Sequence, residues 1–258
     1  MASRWQGVAS LFALVVLTFA LSGQAEAKKK ITKKIAVKWL GHATFEILSP
    51  GGTRLLVDPF ITGNPKTPAT LKNLDDYKPH AILVSHSHFD HMADVAVIAT
   101  KAQAKVIGTY ELVSKLGVGK HLQRGGNVGG TFKIGDVSVH LVPAMHSSSP
   151  GGRPVGFVIR FSDGRSIYHT GDTWIFSDMA LIQAIYKPTI ILMQAGGGPY
   201  NQDPKVAALA VKKFFRPKVI VPMHYGTFGI LASEADVKKA FGKDKRLKIM
   251  QPGQTLEL

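Results

Sequence analysis

Four potential metal ligands lie within six residues of one another, directly after a run of apolar residues. The run occupies residues 81–84, and residues 85–91 read SHSHFDH. A short, continuous apolar run is typical of a strand buried on both faces. We therefore expect residues 86–94 to form a loop at the carboxyl end of a buried strand, the edge of an open α/β sheet where ligands bind.

The spacing of the four side chains suits two metal ions. Side chains two apart in an extended segment point the same way, so His86 and His88 could bind one ion while Asp90 and His91 face a second. Imidazole and carboxylate are ligands for zinc, iron or manganese. The alternative, a polar loop without a metal, would crowd these groups with nothing to offset the cost. Thiolate ligands and disulfide bonds are excluded because the chain contains no cysteine.

Three further candidates, His146, Asp172 and His224, each follow an apolar run that we interpret as a strand. A single histidine is more often a surface or core residue than a ligand, but together with the cluster these residues complete two coordination spheres. The first is His86, His88 and His146; the second is Asp90, His91 and His224; Asp172 bridges them through its two oxygens. Four other histidines lack such a setting and are assigned surface or structural roles: His80, His121, His140 and His169.

The rest of the chain alternates short strands with helices and contains no linker, so we predict one α/β domain. Three strands at residues 35–40, 45–48 and 55–57 should pair antiparallel through hairpin turns, and the glycines of residues 125–130 predict a break. Further strands are predicted at residues 105–108, 131–134, 137–142, 155–161, 166–169, 190–193 and 219–221, and helices at residues 94–102, 110–116, 179–186, 205–215 and 235–241.

The amino terminus has the pattern of a secretory signal peptide over residues 1–27. Arg4 precedes an apolar run at residues 8–21, and Ala25 and Ala27 form an A-x-A-like cleavage site. An uncleaved membrane anchor is the alternative, although the run is shorter than the roughly 20 residues that a spanning helix needs. We predict an exported protein, periplasmic or extracellular, whose single domain spans residues 28–258 and begins with a lysine-rich segment at residues 28–34.

The net charge of +15 would suggest a nucleic-acid partner in a cytosolic protein, but export argues against that partner. Anionic envelope polymers, lipid head groups or a negatively charged substrate are the candidates that remain. The charge can also be no more than a solvated surface, because net charge governs solubility and association rather than fold. The oligomeric state stays open.

Residues 86–91, HSHFDH, resemble the H-x-H-x-D-H signature of the metallo-β-lactamase superfamily, and His146, Asp172 and His224 match its later ligands in order. Asp58, within LVDPF, resembles the aspartate of the family's first motif, which organises the metal-binding loop. Residues 39–43, 58–65 and 222–228 are most similar to the metal-dependent hydrolase subgroup. The better-known relatives of that subgroup are a sugar-phosphate lactonase and a phospholipase D that acts on N-acyl phosphatidylethanolamine.

This resemblance implies a four-layer αββα sandwich, with two mixed sheets face to face and the metals at one edge. It also implies two divalent ions, zinc with manganese or iron as alternatives, that activate hydroxide for attack on an ester-type bond. A lactone, a phosphodiester or a carboxylic ester would each qualify, in a small-molecule or lipid-like substrate that can be anionic. A non-catalytic metal-binding or envelope-interaction protein on the same fold is the alternative function.

Specific residues carry the implied chemistry. Asp90 and Asp172 are the catalytic carboxylates, and His42 is a candidate to contact the substrate or to orient a ligand. Tyr200 and Tyr225 are weaker candidates for the same roles. Residues 194–201 differ in sequence from the glycine-containing loop that relatives carry at this place.

Overall fold

The computed structural model describes residues 1–2, 34–149 and 151–258. The predicted signal peptide, except for its first two residues, and residues 28–33 of the lysine-rich segment lie outside these ranges. No helix within these ranges has the length and apolar character needed to cross a membrane.

Thirteen strands and six α-helices make up the described fold. The strands are β1 (Ala36–Gly41), β2 (Thr44–Leu48), β3 (Arg54–Val57), β4 (Ala81–Leu83), β5 (Lys105–Thr109), β6 (Gln123–Gly126), β7 (Thr131–Ile134), β8 (Val137–Pro143), β9 (Val155–Phe161), β10 (Ser166–His169), β11 (Ile190–Gln194), β12 (Val219–Met223) and β13 (Thr255–Glu257). The helices are α1 (Phe89–Met92), α2 (Val95–Ala102), α3 (Tyr110–Val113), α4 (Met179–Tyr186), α5 (Pro204–Phe214) and α6 (Glu234–Phe241).

The strands form two mixed sheets. One has the order β13-β1-β2-β3-β4-β5-β6 and the other β12-β11-β10-β9-β8-β7. The first three strands pair antiparallel, as predicted, and β3 to β6 then run parallel. In the second sheet, β7 to β10 are antiparallel and β10 to β12 are parallel.

Alternating side chains along the central strands create the layers. Leu55 and Val57 of β3 belong to the larger apolar core, which also contains residues of the second sheet, whereas Leu56 packs into a second core with α2 and α3. Leu83 and Ile82 of β4 divide in the same way. Because successive side chains of a strand point to opposite faces, the first sheet is covered on one side by the second sheet and on the other by helices. The four-layer αββα sandwich is confirmed.

Two local predictions were wrong in part, and one strand was not predicted. Residues 86–94 are not entirely a loop, since α1 begins at Phe89. The predicted glycine break overlaps β6, whose sequence QRGG lacks an apolar pattern and is held by parallel pairing with β5. Gly125 suits that strand because a Cβ there would lie 2.8 Å from the Cα of Tyr110. Strand β13 was not predicted. It lies near the carboxyl terminus and pairs antiparallel with β1 near the amino-terminal end of the described fold, so it depends on a contact between distant parts of the sequence.

One edge of the sandwich collects the ends of strands from both sheets. Strands β1, β3 and β4 end there in the first sheet, and β8, β10, β11 and β12 end there in the second. Each predicted site residue lies at or just beyond one of these ends. The polar residues are brought together from segments far apart in sequence because parallel strands deliver their carboxyl ends to a common edge.

Candidate metal centre

The donor atoms of all seven predicted metal ligands converge at this edge. Three groups have donor atoms within 4.8 Å of one another. They are His86, His88 and His146; His86, His91 and Asp172; and His42, Asp90, His91 and His224. The residues of each predicted coordination sphere therefore lie together in one spatial group, and His42 joins the group of Asp90, His91 and His224.

Asp172 lies between the two groups. Its Oδ2 is 3.1 Å from Nε2 of His224 and 3.7 Å from Nε2 of His146, and its Oδ1 is 3.5 Å from Nε2 of His91. One carboxylate thus faces ligands from both sides, which is the geometry that a bridging ligand requires.

The donor set fits bound cations. Buried Nε2 of His91, Nε2 of His224 and Oδ1 of Asp172 form no hydrogen bond with any described residue, and each such atom costs about 1–3 kcal/mol if nothing compensates it. Nδ1 of His88 faces Nε2 of both His86 and His146, at 2.9 and 3.3 Å. Neutral imidazoles carry one N–H each, so three ring nitrogens that meet at one point suit a shared cation.

The electrostatics also favour positive charge at this position. Burial alone would lower the pKa of His91, but the carboxylates of Asp172 and Asp58 hold that pKa well above its ordinary value. Burial would raise the pKa of Asp172, yet the neighbouring His224 and His91 keep it well below its usual range. A cation can take the place of the proton between these groups.

Asp58 orients His91 from behind. Its Oδ2 accepts hydrogen bonds from Nδ1 of His91, at 2.9 Å, and from the Ser85 hydroxyl, at 2.7 Å, and its Oδ1 accepts from the Ser85 backbone N–H, at 2.7 Å. The Ser85 hydroxyl also lies 3.0 Å from Nδ1 of His86. With both Nδ1 atoms occupied, the Nε2 atoms of His86 and His91 are left to face the cluster.

His42 lies beneath the cluster and is fully buried. Its Nε2 is 2.8 Å from Oδ2 of Asp90, and its Nδ1 is 2.9 Å from Oγ1 of Thr227. Burial, together with the nearby charge of His224, lowers the pKa of His42 to about 3, so the ring is neutral. We therefore assign its single proton to Nε2, which donates to Asp90, while Nδ1 accepts from the Thr227 hydroxyl.

Unusual backbone conformations support the site. His42, Asp58 and His224 all have positive φ, at +56°, +44° and +69°, which costs on the order of 1–3 kcal/mol for each non-glycine residue. Gly196 is required for close approach, because a Cβ there would lie 2.7 Å from the carbonyl oxygen of His224 and 2.8 Å from its Nδ1. The strain and the close contact both fix the position of His224.

A cleft of about 580 Å³ opens above the cluster. Its floor is formed by five of the predicted ligands, and its walls by apolar and small polar residues. Tyr200 lines this cleft, whereas Tyr225 does not: it lies in a separate cavity of about 260 Å³ with Trp39. The cleft includes neither His42 nor Thr227, so these two residues lie behind the ligands rather than beside a substrate.

Sequence reasoning assigned no role to three residues that support this site: Ser85, Asn201 and Thr227. Nδ2 of Asn201 lies 3.3 Å from Nδ1 of His224, and Thr227 contacts His42 as described. Thr227 lies in residues 222–228, which resemble the metal-dependent hydrolase subgroup, and Asn201 lies in residues 194–201, which differ from the relatives; neither residue was singled out within its segment. His169, to which the sequence assigned a surface or structural role, is buried, and its Nε2 lies 3.0 Å from the carbonyl oxygen of Ala43.

Comparisons with known proteins agree with this geometry. The sequence model of the β-lactamase superfamily domain matches residues 36–224. A UPF0173 metal-dependent hydrolase of Myxococcus xanthus is 39% identical, over 87% of this chain and 84% of its own length. A protein of the same description from Pyrobaculum islandicum is 39% identical, over 86% of this chain and 99% of its own.

Solved structures give the same result. Igni18, described as a novel metallo hydrolase from Ignicoccus hospitalis, superposes with a TM-score of 0.78 at 31% identity, covering 87% of this chain and 98% of its own. The metallo-β-lactamase fold protein YhfI from Bacillus subtilis has a TM-score of 0.68 at 16% identity, covering 87% and 99%, and supports the fold alone. The chain belongs to the metal-dependent hydrolases of the metallo-β-lactamase superfamily.

Proposed function

We propose that this hydrolase uses two divalent metal ions, zinc in the resting protein, to cleave an ester-type bond. The observation that carries the proposal is the convergence of seven nitrogen and oxygen donors in overlapping groups at the floor of an open cleft. Imidazole and carboxylate suit zinc, and manganese or iron would also be accepted.

Each ion would have its own ligands and one shared ligand. His86, His88 and His146 would hold the first, and Asp90, His91 and His224 the second. Asp172 would be shared between the two ions, because its carboxylate faces His146 of the first group and His91 and His224 of the second. When bound, such ions act as Lewis acids and lower the pKa of water from 15.7 toward about 7.

The chain's own residues position this chemistry. Asp58 and Ser85 fix the rings of His91 and His86, and His42 holds Oδ2 of Asp90 through a 2.8 Å hydrogen bond. This supports a positioning role for His42 rather than contact with substrate. Tyr200 lines the cleft with its side chain 68% exposed, so its hydroxyl is available to donate a hydrogen bond to a bound substrate or leaving group.

The predicted setting of the enzyme is part of the proposal. The signal-peptide pattern supports export to the periplasm or the cell exterior, where the substrate would be a small-molecule or lipid-like ester. The basic charge supports contact with an anionic envelope surface and no role with nucleic acid. Fractionation of cells that express a carboxyl-terminally tagged chain tests the location; recovery of the full-length protein in the cytosol would contradict it.

Hydrolysis of a panel containing a lactone, a phosphodiester and a carboxylic ester tests the reaction. We expect turnover by the metal-replete protein that is abolished by a chelator and by Asp172→Ala, and retained by His121→Ala, a control at an exposed histidine that contacts Gln103 instead of the cluster. Turnover that survives chelation would overturn the proposal. Metal binding without turnover of any substrate, with salt-sensitive attachment to anionic vesicles, would favour the non-catalytic envelope protein.

A further inference from the structure

The wall of the cleft above the metal centre is apolar and open to solvent. Phe89, Phe228, Ile230 and Leu231 form it. The Phe89 side chain is 63% exposed and that of Ile230 is 58% exposed. Because exposed apolar groups that line a concave surface mark binding sites, this wall is a surface that a ligand would cover.

The wall is held in place by aromatic packing. The ring centroid of Phe228 lies 6.4 Å from that of Phe89 and 6.3 Å from that of buried Phe60, and Phe60 packs edge-to-face on Phe89 at 5.7 Å. These distances are within the range at which aromatic pairs attract. The apolar surface is thus supported from below.

The polar groups of the cleft are the candidate ligands of its floor and the uncharged side chains of Ser87, Ser147, Ser149, Tyr200 and Asn201. The floor consists of the candidate ligands His88, Asp90, His146, Asp172 and His224. Despite the net charge of +15, the described residues that line the cleft include no lysine or arginine. The wall therefore suits hydrocarbon better than a phosphate or carboxylate group.

A second cavity of about 310 Å³ adjoins the cleft and shares His146, Tyr200 and Asn201 with it. Its outer part is formed by Trp174 and Met145. Because His146 lines both cavities, a reacting bond held beside it would border the apolar cleft and this smaller cavity. The site has room for two arms of one substrate.

Building on the proposed function, we infer that the substrate is an ester or lactone with a hydrocarbon acyl chain that lies along the wall formed by Phe89, Phe228 and Ile230. The alcohol half of the molecule lies beyond Tyr200 in the smaller cavity. The acyl chain carries no anionic group where it contacts the wall.

A series of p-nitrophenyl esters from acetate to octanoate tests the inference. Each methylene buried contributes about 0.8 kcal/mol, which corresponds to at most about fourfold in kcat/KM, so we expect a rise of about two- to fourfold per methylene until the wall is covered. Ile230→Ala should lower kcat/KM for octanoate by about three- to tenfold more than for acetate, because it removes apolar contact area.

Ile185→Ala is the matched control. Ile185 is 64% exposed, lies on α4 and does not line the cleft, so the chain-length dependence should stay as in the unaltered protein. A flat dependence on chain length, or equal effects of the two substitutions, would overturn the inference while leaving the hydrolase assignment intact.

A binding measurement separates the inference from catalysis. NMR titration of the chelated protein with n-butanol and n-hexanol should give tighter binding of the longer alcohol, with shifts at Phe228 and Leu231, and weaker binding by Ile230→Ala than by Ile185→Ala. If no ester is hydrolysed but this pattern holds, the proposed reaction fails and the apolar subsite stands. Equal binding of the two alcohols would refute the subsite itself.

Discussion

Replacing Asp58 with asparagine should weaken metal binding without removing a ligand. Asp58 accepts three hydrogen bonds, two from Ser85 and one from Nδ1 of His91. In Asp58→Asn, an NH₂ group takes the place of the oxygen that faces His91, so Nδ1 becomes the acceptor and the ring proton moves to Nε2. Because Nε2 is the atom that faces the cluster, a cation can then bind only if the ring proton leaves Nε2 and returns to Nδ1, the less stable tautomer in this variant.

The expected magnitude follows from these contacts. Loss of such a supporting partner typically lowers metal affinity by about 10–100-fold. With metal in excess, that factor appears as about 1.4–2.7 kcal/mol less stabilisation of the folded state by the metal. A separate loss of about 1–3 kcal/mol, from the hydrogen bonds that the charged carboxylate made, should be present with or without metal.

Urea unfolding with saturating zinc and with a chelator measures both quantities. The destabilisation by Asp58→Asn should be larger with zinc by the amount given above. Asp136→Asn is the matched control, because Asp136 also accepts three hydrogen bonds, in its case from two hydroxyls and a backbone N–H, but at the opposite edge of the sandwich. Its effect should be the same in both conditions. Equal destabilisation by Asp58→Asn with and without zinc would refute the reasoning.

Three further predictions follow from other contacts. Asn201→Leu should weaken zinc binding by about tenfold. When Nε2 of His224 binds a metal, its Nδ1 carries the proton and needs an acceptor, which Asn201 supplies when its side-chain amide is turned so that Oδ1, which has no hydrogen-bond partner among the described residues, takes the place of Nδ2 beside the ring. Asn201→Asp should restore binding, and calorimetric titration measures both. His42→Ala should lower kcat more than it raises KM, because it frees Asp90 without altering the cleft; unchanged kcat would contradict this. Although burial raises the pKa of Asp136, hydrogen bonds from Ser49 and Thr53 keep it lowered, so its stabilisation is present above about pH 4 and is lost as the pH falls through the folded-state pKa. The stability difference from Asp136→Asn should therefore shrink in urea unfolding below that pH.

The residues of the candidate metal centre were predictable because their strongest sequence pattern is local. The cluster at residues 86–91 follows β4 directly, and the later ligands follow strands whose apolar runs are readable in sequence. Strand β6 was not predictable in this way, because QRGG has no apolar alternation and pairs only through its neighbour β5. Tertiary pairing, and not local propensity, determines such a strand.

The supporting contacts depend on residues far apart in the chain. His42 contacts Asp90 across 48 positions and Thr227 across 185. No periodicity connects such residues, and their alignment depends on the positive-φ backbone at His42, which the residue type does not disclose. The sequence could therefore identify His42 as a candidate site residue, but it could not distinguish contact with a substrate from a hydrogen bond that positions Asp90.

Metal content tests the central claim most directly. Elemental analysis of the purified protein after saturation with zinc and removal of free metal should give about two ions per chain, and fewer in Asp172→Ala, with Asp136→Asn unchanged. One or no ion per chain in the unaltered protein under these conditions would contradict a two-metal centre at this edge of the sandwich.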